Sequence, residues 1–426
     1  MVRIPEIIKR YKLILQNASY LSIIEIIRLA MPFVALPYII RTIGADNYGI
    51  IIFAQTIISY FIVFINFGLD ISAVKDVSIN RQNREKLGGV VSSVLSIKLA
   101  FLIISSLALC IAAFFIPYIQ NNRLLFFFCF FTCFSEVLFP IWFYQGIEKM
   151  KYLALIRFIS IILYVSSIFI FIHSADDYIF VPLLQSGCNI IGGLVSLYVL
   201  INIERFRFRL PTKDLLIKTF LNSIPFFFSR LSVIFNANMA KLFCGFFFSM
   251  QAVAAFDIAQ KIATVSLTPA QMLNQAIYPQ IARTRDGLFA KKCIYGITSV
   301  SFAIMLFLII ISPYIISFFA QDKLPESVTL LRILSIWTFL GGITIYLGTS
   351  ALVSFGYSAQ FNKSVIYSSA VLLVCYLIMY IADIINIYNF ALTIVITEFM
   401  ILAYRYYFVH KFKLFSIKSN NHDHIS

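Results

Sequence analysis

Residues 91–118 read VSSVLSIKLAFLIISSLALCIAAFFIPY, with a single charge at Lys98. About 20 mostly apolar residues in a helix cross the ~30 Å hydrocarbon core of a bilayer. This run is longer than that, and it lacks the every-second-residue alternation of a barrel strand. It therefore reads as a membrane-spanning helix. Runs of the same kind recur at 18–40, 50–71, 124–146, 154–173 and 178–203. A second set lies at 215–237, 250–276, 293–320, 328–355, 361–382 and 387–408, which makes twelve in all. Composition agrees. The chain is 61% hydrophobic and 12% charged, and its 45 Phe outnumber its 34 Lys plus Arg. A soluble domain carries about 25% charge. A soluble enzyme, a disordered chain and a disulfide scaffold are excluded. The expected fold class is an all-α polytopic membrane protein of about twelve transmembrane helices.

A formal charge of +15 cannot sit in lipid. Sorted by loop, 25 of the 34 Lys and Arg fall in one alternate set of connections, which includes both termini, and five (Arg41, Arg123, Lys241, Lys323, Arg332) fall in the other. The positive-inside rule then puts both termini in the cytoplasm. Charge scattered over short loops beside membrane also argues against nucleic acid as the partner. Four cations are assigned to no loop and lie within spans: Arg28, Lys98, Arg230 and Lys261.

The most polar internal break is 204–214, ERFRFRLPTKD, after the sixth span. It divides the chain into an N-terminal six-helix lobe (1–203), a cytoplasmic linker (204–214), a C-terminal six-helix lobe (215–411) and a polar cytoplasmic tail (412–426). An even number of spans per half gives a parallel repeat. A weak internal match supports duplication: Ala54-Gln55 aligns with Ala259-Gln260, and at that offset of 205 Asn66 meets Gln271 and Asp70 meets Gln275. Gln55, Ser59, Asn66 and Asp70 share a helical face, as do Asp257, Lys261, Thr264, Thr268, Gln271 and Gln275. Lys218, Asn222, Ser229 and Asn236 form a similar stripe in the seventh span. Such stripes either hydrogen-bond between helices or line water. Stripes in corresponding places of two halves predict two pseudo-symmetric lobes around a central hydrated cavity. Mid-span prolines at Pro32, Pro37, Pro140 and Pro225 suit bent helices in a protein that changes shape.

Charged groups in hydrocarbon are costly and mark function by default. Arg28, Lys98, Arg230 and Lys261 are the expected cationic lining for an anionic substrate. Glu25, Glu136, Asp257 and Glu398 are the expected sites for H⁺ or Na⁺ coupling, with Gln55, Asn66, Asn222 and Gln271 as polar lining. Glu25 with Arg28 and Asp257 with Lys261 have spacings that allow intrahelical pairs. Lys98 reads as close enough to its helix end to snorkel, and Glu398 has no evident partner. The competing reading is paired charges that fix helix register. Seven cysteines lie in or beside apolar runs with no ligand spacing, and no nucleotide, hydrolase or metalloprotease motif is present. No cofactor, metal or enzymatic site is expected.

Four stretches carry a resemblance. Gly44-Ala45-Asp46-Asn47-Tyr48-Gly49 follows the first span, and Asn66-Phe67-Gly68-Leu69-Asp70 ends the second. The most specific is Pro140-Ile141-Trp142-Phe143-Tyr144-Gln145-Gly146-Ile147-Glu148-Lys149-Met150, and Asn274-Gln275-Ala276-Ile277-Tyr278-Pro279-Gln280 stands in the second half. The sequence resembles the Wzx-type O-antigen flippases of the multidrug/oligosaccharidyl-lipid/polysaccharide exporter superfamily. The resemblance implies two six-helix lobes and translocation of undecaprenyl-diphosphate-linked oligosaccharide across the bacterial inner membrane by alternating access. It also implies an ion-coupled cycle in which Arg28 and Arg230 are the cavity cations. Expected partners are the lipid-linked oligosaccharide, membrane lipid, H⁺ or Na⁺, and the polysaccharide polymerase machinery. The alternatives are a drug/cation antiporter of the same superfamily and a membrane glycosyltransferase or polymerase.

Overall fold

A computed structural model describes residues 33–204, 206, 208–321 and 323–416. Helix α1 is described over Phe33–Ile43. There follow α2 (Ala45–Asn66), α3 (Leu69–Asn80), α4 (Arg84–Phe115), α5 (Pro117–Asn121), α6 (Arg123–Leu138), α7 (Ile141–Gly146), α8 (Met150–Phe171) and α9 (Phe180–Tyr198). The second part holds α10 (Lys213–Phe247), α11 (Met250–Ser266), α12 (Thr268–Thr284), α13 (Gly287–Ala320), α14 (Glu326–Tyr346), α15 (Ser358–Ile381) and α16 (Ile387–Lys411). Widened π turns extend α9 over Val199–Ile203 and α14 over Leu347–Val353. No strand occurs among the described residues.

Nine helical runs among the described residues are long and apolar enough to cross a membrane. Their outward faces carry the large apolar side chains that lipid would cover, such as Phe114, Phe115 and Ile310. The protein is an all-α polytopic membrane protein. Of the twelve spans read from sequence, the first lies largely outside the described residues. The seventh and eighth appear as α10 and as α11 with α12, which are long enough to span but too polar or charged for that measure. α10 alone carries Asp214, Lys218, Arg230 and Lys241.

The chain divides into two compact units, Met1–Leu231 and Ser232–Ser426, and the division falls inside α10, beyond the polar linker. The order of elements repeats between the units. α2 begins at Ala45 and α11 at Met250, α3 ends at Asn80 and α12 at Thr284, α4 begins at Arg84 and α13 at Gly287, and α6 begins at Arg123 and α14 at Glu326. These are close to the offset at which Ala54-Gln55 meets Ala259-Gln260 in the sequence.

Helix ends correct several readings made from hydropathy. Arg41, Lys241 and Arg332, read as loop cations, lie within α1, α10 and α14, and Arg405 lies within α16. Lys98 is not at a helix end. α4 starts at Arg84, well before the apolar run does, so Lys98 sits near the middle of the helix and is buried.

Two glycine corners position the first unit. Phe67 and Gly68 are both left-handed, with φ of 42° and 70°, and they break α2 from α3. The break turns the Phe67 ring into a stack on Phe101, Phe220 and Phe227, with centroids 4.9, 4.9 and 4.4 Å away. A Cβ on Gly68 would lie 2.6 Å from the Phe227 amide nitrogen. Gly68→Ala is therefore expected to destabilise the purified protein by about 2 kcal/mol, from left-handed strain and forced separation of α10. An unchanged thermal unfolding curve would refute this reading of the corner.

The second corner is α7. Trp142, Phe143 and Tyr144 are buried, and the Tyr144 hydroxyl donates to the Ser196 carbonyl at 2.5 Å. A Cβ at Gly146 would overlap the Val77 side chain on α3. Glu148, at φ 60°, pairs with Arg81 at 2.9 Å, and Lys149 pairs with Glu204 at 2.6 Å. The most specific stretch of the sequence thus builds a packed corner of the first unit.

Candidate functional site

The polar face of α2 and α3 makes three successive contacts within the first unit. Gln55 Nε2 donates to Gln185 Oε1 on α9 at 2.7 Å. Asn66 Nδ2 donates to Glu136 Oε2 on α6 at 3.1 Å, and Asn66 Oδ1 accepts from Lys98 Nζ on α4 at 2.6 Å. Lys98 Nζ also donates to the Glu136 carbonyl at 3.2 Å. Asp70 Oδ2 then meets Arg230 Nη2 on α10 at 2.9 Å.

These contacts have different exposure. Lys98 is 2% exposed, so its ammonium serves Asn66 and Glu136 and has no open face for a ligand. The side chains of Arg230 and Asp70 are 47% and 33% exposed. Arg230 lies midway along α10 and Asp70 in the first turn of α3, and Asp70 Oδ1 is buried with no hydrogen-bond partner. A charged pair that is open in this way does not face hydrocarbon; it faces water or a polar ligand.

The second unit holds a separate cluster. Asp257 on α11 is buried and meets Lys261 Nζ at 2.6 Å, one turn along the same helix, and Lys241 Nζ on α10 at 3.3 Å. The i,i+4 pair expected from spacing is thus joined by Lys241, which hydropathy had placed in a loop. The Lys261 side chain is 34% exposed. Nearby polar bonds run from Gln260 Nε2 to the Ala237 carbonyl at 2.8 Å and from Asn236 Nδ2 to Ser368 Oγ at 2.9 Å.

A third cluster lies between α14, α15 and α16. Glu398 does have partners: it accepts from the Thr344 hydroxyl and, at 3.2 Å, from Trp337 Nε1. The Thr344 carbonyl accepts from Arg405 Nη1 at 2.6 Å, and Arg405 Nε donates to Ser364 Oγ at 2.9 Å. The guanidinium lies 4.6 Å from the Phe361 ring centroid. Gly348, in the π turn, leaves room for it, since a Cβ there would lie 2.5 Å from Nη1. Beside this, Asn274 Nδ2 donates to Thr349 Oγ1 at 2.7 Å and its Oδ1 accepts from Ser350 at 2.6 Å, so α12 is tied to the same π turn. π turns inside helices recur at functional sites.

Among the residues expected from sequence, Lys98, Asn66 and Glu136 come together, and so do Lys261 and Asp257. Arg230 pairs with Asp70, whose carboxylate lies near enough to Lys98 to act on its charge, and Glu398 stands with Thr344 and Trp337. Asn222 is exposed on α10, and Gln271 is half-buried on α12. Glu25 and Arg28 lie outside the described residues. Asp70, Gln185, Lys241 and Arg405 were absent from the expected set. For Asp70 the signal was its place on the Gln55–Asn66 face; for the others, partners far along the chain gave none. Among the described residues no group of three or more His, Cys, Asp or Glu is placed to hold a metal ion.

The model of a family described as polysaccharide biosynthesis protein matches residues 14–285. A protein of Escherichia coli K12, whose name assigns it provisionally to O-antigen transport, is 22% identical over 408 residues, 94% of this chain and 97% of that one. A Shigella dysenteriae protein with the same naming is 20% identical over 347 residues, 76% of this chain and 86% of that one. Among solved structures, an inward-facing multidrug resistance MATE family transporter of the MOP superfamily has a TM-score of 0.72 at 15% identity, covering 94% and 98% of the two chains. The lipid II flippase MurJ in an inward closed conformation has a TM-score of 0.71 at 14% identity, covering 92% and 89%. At these identities the structural likeness establishes the fold.

Proposed function

Because the chain belongs to the polysaccharide biosynthesis protein family, we propose that it moves undecaprenyl-diphosphate-linked oligosaccharide from the cytoplasmic to the periplasmic leaflet of the bacterial inner membrane by alternating access. In coarser terms it is a multi-pass membrane transporter for O-antigen or polysaccharide units, or a lipid flippase, and not an enzyme. The finer reading takes the chain as two six-helix lobes, 1–203 and 215–411, joined by the linker 204–214, with both termini and the tail 412–426 in the cytoplasm.

One observation supports it above the others. Arg230 and Asp70 are one-third to one-half open, Asp70 within the apolar run Ala45–Asn80 and Arg230 midway along α10. A sugar head group brings many hydroxyls that hydrocarbon leaves unsatisfied, and a diphosphate brings charge. An aqueous cavity lined by such a pair satisfies both, with the polyprenyl tail left in lipid. In this reading Arg28, Arg230 and Lys261 bind the diphosphate, with Gln55, Asn222 and Gln271 as hydroxyl partners, while Lys98 and Asn66 hold Glu136 in place. An inside-negative potential favours outward movement of a lipid anion by about 2.3 kcal/mol per charge per 100 mV. Coupling to H⁺ or Na⁺ through Glu25, Glu136, Asp257 or Glu398 would add to that drive, and contact with the polymerase machinery would receive the product.

Arg28→Ala and Arg230→Ala are expected to cut surface polysaccharide at least tenfold at parental levels of inserted protein, read by glycan blot and membrane immunoblot. Parental glycan with both well-inserted variants would sink the proposal. The MATE likeness favours drug/cation antiport as the second reading. Drug tolerance conferred on an exporter-deficient strain, with no glycan complementation, would select it.

A further inference from the structure

The linker after the π turn of α9 does more than join two halves of the sequence. It is fastened to the first unit at several points. Arg209 Nη1 pairs with Glu85 Oε1 at 2.7 Å, and the Arg209 amide donates to Ser92 Oγ at 3.1 Å. Glu204 is held by Lys149, and the Phe206 amide donates to the Leu200 carbonyl at 3.2 Å. Between the linker and the start of α4 lies a recess of about 430 Å³, lined by Arg84, Glu85, Gly88, Phe143, Glu204 and Arg209 among others. Its two acids are engaged by Arg209 and Lys149, which leaves Arg84 as an additional cation on the recess wall, next to exposed Lys86.

Beside this recess the chain turns large apolar groups outward. Phe208 is 54% exposed and Leu210 is 90% exposed, within a stretch rich in charged residues. The spanning run before it ends at Ile203, and α10 begins at Lys213. The linker is therefore a short crossing that stays near these two helix ends. Ile201 and Ile203 before the linker, and Ile217 and Leu221 after it, are also exposed. Exposed apolar groups beside a recess whose acids are both paired and whose wall carries Arg84 have the two-part character of a lipid site, with acyl chains on the apolar groups and a phosphate in the recess.

We propose that this recess and these apolar groups bind an anionic phospholipid of the adjoining leaflet, with the headgroup phosphate held by the Arg84–Arg209 side and the acyl chains along Phe208 and Leu210. The site depends on the membrane-spanning fold and not on what the protein carries. It makes the linker a lipid-anchored strap on the first unit.

The test places a reporter among the apolar groups. Full-length Phe208→Trp protein is reconstituted in phosphatidylcholine bilayers with either brominated phosphatidylglycerol or brominated phosphatidylcholine, and the signal of the parent, which has two Trp, is subtracted. At equal mole fraction the brominated phosphatidylglycerol is expected to quench the added Trp with a severalfold preference. Arg84→Gln with Lys86→Gln in that background is expected to reduce the preference about fivefold for each cation removed, while quenching by brominated phosphatidylcholine stays constant. Equal quenching by both lipids would overturn the headgroup selectivity. No quenching by either would show that the linker is not in the bilayer. A preference unchanged in the double variant would remove the recess from the site.

Discussion

Lys98→Met is expected to destabilise the protein by about 3–5 kcal/mol, one of the two largest effects foreseen. The ammonium is buried on α4 and supplies hydrogen bonds to Asn66 Oδ1 and the Glu136 carbonyl. Its charge stands close to the Glu136 and Asp70 carboxylates. Taking it away leaves Asn66 Oδ1 without its donor and leaves Glu136 as an uncompensated anion inside the first unit. Breaking one member of such a set costs far more than removing the whole set. The double variant Lys98→Met with Glu136→Gln is therefore expected to recover most of the loss. Thermal unfolding of purified protein in detergent reads both, with a fall of roughly 5 °C for the single variant. If the single variant unfolds with the parent, Lys98 does not hold this junction, and its place as a substrate contact returns to consideration.

The sequence carried the fold at the level of spans, because a bilayer demands long apolar runs and little else satisfies that demand. The run at 91–118 became α4, which starts earlier, at Arg84, and those at 361–382 and 387–408 became α15 and α16 within a few residues at each end. Ends were less legible, since a helix continues past its apolar stretch once it leaves lipid or enters a polar interior. That is why Lys98 proved to be mid-helix and why Lys241 belonged to α10 and not to a loop. The corner at Phe67 and Gly68 was legible as a motif but not as geometry. The need for glycine arises from α10, which packs against it from about 160 positions along the chain. In the candidate site, the pair that a helical period predicts, Asp257 with Lys261, is present. Asp70 with Arg230 was not predictable as a pair, because no local spacing connects α3 to α10.

Arg405 shows the same limit with the sign of a correction. Counted by loop, it falls with the cations of the C-terminal end, at the edge of the last span. In the structure it is buried, its Nη1 and Nε donate to the Thr344 carbonyl and Ser364, and Glu398 is the carboxylate whose field acts on it. Thr344 joins the two charges, since its hydroxyl serves Glu398 while its carbonyl serves Arg405. Arg405→Leu removes two donated hydrogen bonds and the ring contact with Phe361, and it leaves Glu398 with its Thr344 and Trp337 donors but without the cation whose field compensates it. A loss of about 3–5 kcal/mol is expected, as for a broken buried charge set. Lys363→Ala, at an exposed position in the first turns of α15, is the control and is expected to stay within about 0.5 kcal/mol of the parent. Arg405→Lys separates charge from shape. The ammonium keeps the field on Glu398 but cannot reach Thr344 and Ser364 together in a planar fork, so it is expected to recover only part of the loss. Full recovery by lysine would mean that charge alone matters at this position. A neutral leucine variant would mean that the α14–α16 packing holds without the cluster, and that Arg405 and Glu398 are kept there for the transport cycle itself.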